Sequence, residues 1–152
     1  GCLVLIMVIV GWCAYVKNTE EVPVDYETKS IEELLPLAEE GIAEAQYNLG
    51  LMYSNGEGVP EDEQQAAKWF RRAAEQGDAS AQFNLGVMYS VGYGVPKDYV
   101  LAYKWINLAA AQGSKRSAKY RDDLAKKMTT SQIQEAQKLA REFKPKKEKP
   151  KK

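Results

Sequence analysis

The chain has 152 residues, 45% of them apolar and 28% charged, which suits a soluble globular domain. It contains no histidine and only two cysteines, Cys2 and Cys13, which excludes histidine-based catalysis or metal binding and any disulfide framework in the body of the protein. Lys and Arg balance Asp and Glu at 21 each, yet residues 18 to 63 carry thirteen acids against Lys29 alone, while residues 64 to 152 carry nineteen bases against eight acids. Such a molecule has an acidic end and a basic end, which favours charge-steered contacts over uniform adhesion to nucleic acid.

The first residues, "GCLVLIMVIVGWCAYVKN", are uncharged from Gly1 to Val16. Sixteen residues fall short of the roughly twenty that span a bilayer as a helix, but Leu3 to Val10 suits the apolar region of a signal peptide. Gly11 and Cys13 form a small-x-small cleavage pattern, whereas Trp12 and Tyr15 resemble the interface aromatics of an uncleaved anchor. Residues 1–17 therefore read as a signal peptide or a membrane anchor, followed by an acidic linker over 18–29. Either version places the protein outside the cytoplasm, exported to a periplasmic or extracellular space or anchored to a membrane.

From residue 30 to 143 the chain reads as one repeat domain. Sliding residues 41–76 onto 77–112 matches 21 of 36 positions without a gap, against roughly two or three for unrelated segments. In each unit the first half sets Ala45, Leu49, Met52 and Tyr53 on one helical stripe, and the second half does the same with Ala66, Trp69, Phe70 and Ala73. Between them "SNGEGVP" supplies Gly56 and Gly58, matched by Gly92 and Gly94, for positive φ, and a proline that cannot continue a helix. Asp62 and Asp98 suit helix N-caps, and Gly77 and Gly113 suit C-terminal caps.

Gly50 and Gly86 fall in mid-helix, where glycine costs about 1 kcal/mol relative to alanine. A close helix contact must compensate, and Trp69 and Trp105 are expected to lie over the gap. Upstream, residues 30–40 form a half-repeat in which Leu37 and Ala38 take the places of Ala73 and Ala74, with Gly41 opening repeat one and Glu33 standing for Trp69. Downstream, the third cycle loses the glycine signals and becomes a cap over 113–143, with helices near 115–127 and 130–143, the second opened by a capping box from Thr129 to Gln132. The remainder, "KPKKEKPKK" over 144–152, has nothing to bury and is expected to be disordered.

The pattern A-x-A-Q-x-N-L-G-x-M-Y-x-x-G-x-G-V-x-x-D, then A-x-K-W and A-A-x-Q-G, resembles the Sel-1-like repeat, a relative of the tetratricopeptide repeat with a longer period and a glycine-rich inner loop. The resemblance implies an all-α fold, a right-handed α-solenoid of helix-turn-helix repeats, serving as a protein-binding scaffold or adaptor. Some relatives carry a disulfide in every repeat, and this chain, with no cysteine after Cys13, does not share that feature.

In such solenoids the first helices line the concave face. Opposite Ala45 on its helix lie Tyr47 and Leu51, with Asn48 at the margin, and the equivalents one repeat later are Phe83, Val87 and Asn84. These six residues are the expected contacts for a peptide or protein, the aromatic and aliphatic groups giving area and the amides bonding a backbone. Packing between repeats would use the same residues. The runner-up reading is a membrane-linked structural protein that recognises anionic partners through its lysine-rich tail and polarised charge.

Nothing in the chain points to catalysis. "NGEGVP" lacks the preceding strand and the lysine of a phosphate loop, and G-x-S-x-G and H-E-x-x-H motifs are absent. No cofactor or metal is expected, and the expected partner is a protein or peptide instead of nucleic acid.

Overall fold

Glycine, proline and capping residues cut this sequence into short helices, none of which can bury its apolar stripe alone. The computed structural model describes residues 25–27 and 29–147. Residues 1–17, the expected signal peptide or anchor, lie outside the described residues, as do most of the linker 18–29 and residues 148–152 of the tail.

The described residues form seven α-helices and no strand: α1 (Ile31–Glu39), α2 (Ala43–Asn55), α3 (Glu63–Glu75), α4 (Ala79–Val91), α5 (Tyr99–Ala111), α6 (Lys115–Ala125) and α7 (Thr130–Glu142). Successive helices from α1 to α6 pack on one another, with α2–α3 and α4–α5 as antiparallel hairpins, giving the all-α solenoid that the repeat demands. Among the described residues no helix is long and apolar enough to cross a membrane.

The caps fall where expected. Asp62 accepts from the Gln65 N–H at 2.9 Å and Asp98 from the Leu101 N–H at 3.0 Å. Gly56, Gly58, Gly92 and Gly94 all take positive φ, between 65° and 77°, and Gly77 and Gly113 follow the ends of α3 and α5 at φ 100° and 95°. Asp78 and Ser114 add caps to α4 and α6, accepting from Ala81 N–H at 2.7 Å and Ser117 N–H at 3.1 Å.

The mid-helix glycines do mark close approach, but the tryptophans are not what covers them. A Cβ on Gly50 would stand 2.6 Å from the Phe70 ring, and one on Gly86 would stand 2.7 Å from Ile106 Cδ1. One residue's step turns a helix by about 100°, so Trp69 faces a different way, into a cluster with Leu34, Ala38, Ala45 and Leu49. Trp105 likewise joins Ala73, Ala74, Ala81 and Leu85. Each tryptophan thus serves the seam with the preceding unit.

Four glutamines close the same seams, Gln46 and Gln82 among them buried. Gln46 donates to the Ala38 carbonyl at 2.9 Å, and Gln76 donates to both the Gly41 carbonyl and the Gln46 Oε1 at 2.9 Å. Gln82 and Gln112 repeat the arrangement on Ala74 and Gly77. These bonds give partners to the Gly41 and Gly77 carbonyls just past the helix ends and a second donor to the Ala38 and Ala74 carbonyls, which already accept from the Gly41 and Gly77 N–H groups. No buried side-chain nitrogen or oxygen among the described residues lacks a partner.

The C-terminal cap departs from a third hairpin. Helix α7 turns away from α6 and packs on α5. The residue one period after Gly86 is Asp122, exposed on α6, so the close approach that glycine allows in the first two units is closed to the third. The tail also differs from expectation in its first residues. Phe143 packs edge-on against Trp105 with centroids 5.5 Å apart, Pro145 lies against Gly77, and the Lys146 N–H donates to the Glu75 carbonyl at 2.8 Å. Residues 143–147 therefore strap α7 back across α5 to the end of α3, because an aromatic anchor and a helix-end carbonyl give this lysine-rich stretch partners that composition does not reveal.

Candidate functional site

The side of the stack built by the first helices carries two depressions that share Tyr47 as a wall. The larger, about 460 Å³, is lined by Tyr47, Asn48, Leu51 and Met52 of α2, by Leu34 of α1, and by Tyr26, Glu27, Lys29, Glu57 and Gly58. The smaller, about 150 Å³, lies between Tyr47 of α2, Ala79, Ser80, Phe83 and Asn84 of α4, and Ser114, Arg116 and Ser117 at the start of α6.

The six residues expected on this face divide by burial. Tyr47, Leu51, Asn84 and Val87 are half-buried, so each presents part of its side chain to solvent. Asn48 and Phe83 are only 6% and 7% exposed. The Asn48 amide donates to the Glu44 carbonyl of its own helix at 3.1 Å. Phe83 packs with Ile106, Ala109 and Val87 and meets Tyr120 edge-on at 5.7 Å, in part the inter-repeat role that the sequence also allowed. Tyr47 leans on Phe70 with centroids 5.8 Å apart, which fixes the wall between the depressions.

Two polar groups here are uncommitted. The Asn84 amide has no protein partner among the described residues, unlike Asn48 one repeat earlier. The Arg116 guanidinium lies 4.3 Å above the Phe83 ring, and among the described residues none of its N–H groups has an acceptor. Sequence reasoning stopped at the second repeat and missed Arg116, Ser117 and Tyr120. The signal was available, since Arg116 stands one period after Ser80 and Tyr120 one period after Asn84.

Among the described residues no group of three or more His, Cys, Asp or Glu side chains is placed to hold a metal ion.

Comparisons with known proteins fit this geometry. The Sel1 repeat model matches residues 43–78 and 79–114, the 36-residue period of the sequence in a register shifted by two. The crystal structure of a Sel1 repeat protein from Oxalobacter formigenes is 45% identical, with a TM-score of 0.60, over 61% of this chain and 70% of its own. This chain belongs to the Sel1 repeat family. The crystal structure of a protective antigen present in uropathogenic Escherichia coli strains, displaying an SLR fold, is 40% identical with a TM-score of 0.72 over 77% of this chain. The chain spans about a quarter of that antigen, 25% of its length. No curated protein matches it. Sel1 repeats are in general protein-interaction scaffolds and typically non-catalytic, and the repeat signature residues Gly50, Gly56, Gly58, Trp69, Gly86, Gly92, Gly94 and Trp105 hold the seams and turns described above.

Proposed function

We propose that this Sel1 repeat protein is a non-catalytic adaptor that holds a peptide or protein segment along the concave face of its first helices. Tyr47, Leu51, Asn84 and Val87 make the contacts, and Asn48 and Phe83 brace them from beneath. The observation that supports this reading is the pair of depressions meeting at Tyr47, with the Asn84 amide left without a partner. An unpaired amide at the edge of an apolar strip suits the backbone of an extended chain, which supplies both donor and acceptor. The apolar segment 1–16 supports export or membrane tethering as the setting.

Photo-crosslinking tests the face directly. A crosslinker placed at Leu51 or Val87 in the native organism should trap the same species, and Asn84→Ala should reduce both yields several-fold without shifting the melting temperature. A crosslinker at Lys138 on α7 should trap none of it. Equal yields from all three positions would overturn the assignment of the face.

A further inference from the structure

The first turn of α6 breaks a local rule. A helix N-terminus carries partial positive charge and is stabilised by acids, not bases. Helices α2 and α3 comply with Glu44 and Glu63 in their first turns, and α4 and α5 with the cap carboxylates of Asp78 and Asp98. Helix α6 instead has the neutral cap Ser114 followed by Lys115 and Arg116, with no acid in its first turn. Such departures from local consistency fall at functional sites.

Arg116 is also held ready for an anion. The exposed Arg116 side chain has its guanidinium carbon 4.3 Å from the Phe83 ring centroid, and this contact leaves its N–H groups available to an acceptor. Arg71 and Arg121, by contrast, are committed: Arg71 donates to the Tyr89 hydroxyl at 2.7 Å, and Arg121 to Asp122 and Asn107. The cavity beneath Arg116 adds the Asn84 amide and the Ser80 hydroxyl, neither with a protein partner among the described residues, and contains no carboxylate. Its 150 Å³ equals about five water molecules' share of liquid volume, room for a side-chain carboxylate or a chain end.

We infer that the Tyr47–Asn84–Arg116 cavity is a carboxylate subsite, which takes an Asp or Glu side chain or the free C-terminus of the bound peptide. The planar guanidinium fork matches a carboxylate bidentately, and Asn84 and Ser80 supply further donors. One guanidinium complements one negative charge, which favours a carboxylate over a phosphate dianion. This inference rests on the proposed concave-face reading and adds the chemistry that would recognise the partner.

The test is selection of a display library of random twelve-residue peptides, with free C-termini, on the full chain. Enriched peptides should carry an acid or require their C-terminal carboxylate. Changing that acid to its amide, or amidating the C-terminus, identifies the source and should weaken binding about tenfold, roughly 1.4 kcal/mol. On Arg116→Gln the same peptide change should cost less than about twofold, and Arg116→Lys should fall between, as expected for a lost fork with a retained charge. Peptides that respond to Leu51→Ala and Val87→Ala yet need no carboxylate, or that lose as much on Arg116→Gln as on the wild type, overturn the subsite and leave the adaptor reading standing. Peptides indifferent to Leu51, Asn84 and Val87, or no enrichment at all, overturn both.

Discussion

The side-chain amide of Gln112 donates to the Oε1 of Gln82 at 2.9 Å, and Gln76 bonds Gln46 at the same distance one repeat earlier. Each pair joins the end of a second helix to the first helix of its own unit, while the outer members, Gln82 on Ala74 and Gln46 on Ala38, reach the preceding unit. The four glutamines are thus a polar seam that fixes the spacing of one repeat on the next.

Gln82→Leu should therefore destabilise the domain by about 1–2 kcal/mol, because it removes one of the two hydrogen bonds to the buried Ala74 carbonyl, which keeps the Gly77 N–H, and takes the acceptor from a Gln112 N–H. Gln82→Leu combined with Gln112→Leu should cost less than the sum of the single changes, since both partners of one bond are then removed together. Urea unfolding of the four variants in the cycle measures the coupling.

Gly86→Ala should destabilise even though alanine is the better helix former by about 1 kcal/mol. The new methyl would meet Ile106 at 2.7 Å and the Ala102 carbonyl oxygen at 3.0 Å, and overpacking of this kind costs about 1–3 kcal/mol. For Gly50→Ala the three nearest atoms all belong to the Phe70 ring, at 2.6 to 3.0 Å. The ring is a side chain and can shift where a backbone oxygen cannot, so Gly50→Ala should be the milder of the two by thermal unfolding.

Tyr93 donates to the Glu61 carboxylate, which joins the inner loops of the two repeats and pushes the phenol up to about 12 from its ordinary 10. The hydrogen bond to the carboxylate is the main cause. A raised folded value means that this contribution is complete below pH 10 and is lost as pH rises from 10 towards 12. The stability difference between the wild type and Tyr93→Phe should accordingly be constant up to about pH 10 and shrink above it. A difference that stays flat to pH 12 would show that the bond does not form in solution.

Phe143→Ala should release the strap, remove the ring that covers Trp105, and cost about 1–2 kcal/mol, below the figure for a fully buried phenylalanine because Phe143 is only half-buried. Hydrogen exchange at Lys146 N–H, now bonded to Glu75, should rise to the rate of an unstructured amide, while exchange in α2 and α4 stays slow.

The signature turns show how far local chemistry reaches. That Gly56 and Gly92 end helices at positive φ, and that Asp62 and Asp98 open the next ones, follows from residues that have few other uses at those positions. The partner of a mid-helix glycine did not follow in the same way. Trp69 and Phe70 are adjacent and both apolar, and only the rotation of α3 against α2 decides which of them lies on Gly50.

By itself the sequence determined the repeat, its period, its helices and its caps, because those depend on spacing and on backbone preferences within a few residues. The tertiary structure decided what depends on how helices rotate and cross: that Phe83 is buried while Asn84 keeps a free amide, that Arg116 sits over the Phe83 ring, that α7 folds onto α5, and that residues 143–147 find partners 68 or more positions away at Glu75 and Gly77. Such contacts between elements far apart in the chain have no local signal, since each side chain is chosen for a neighbour that only the finished stack supplies.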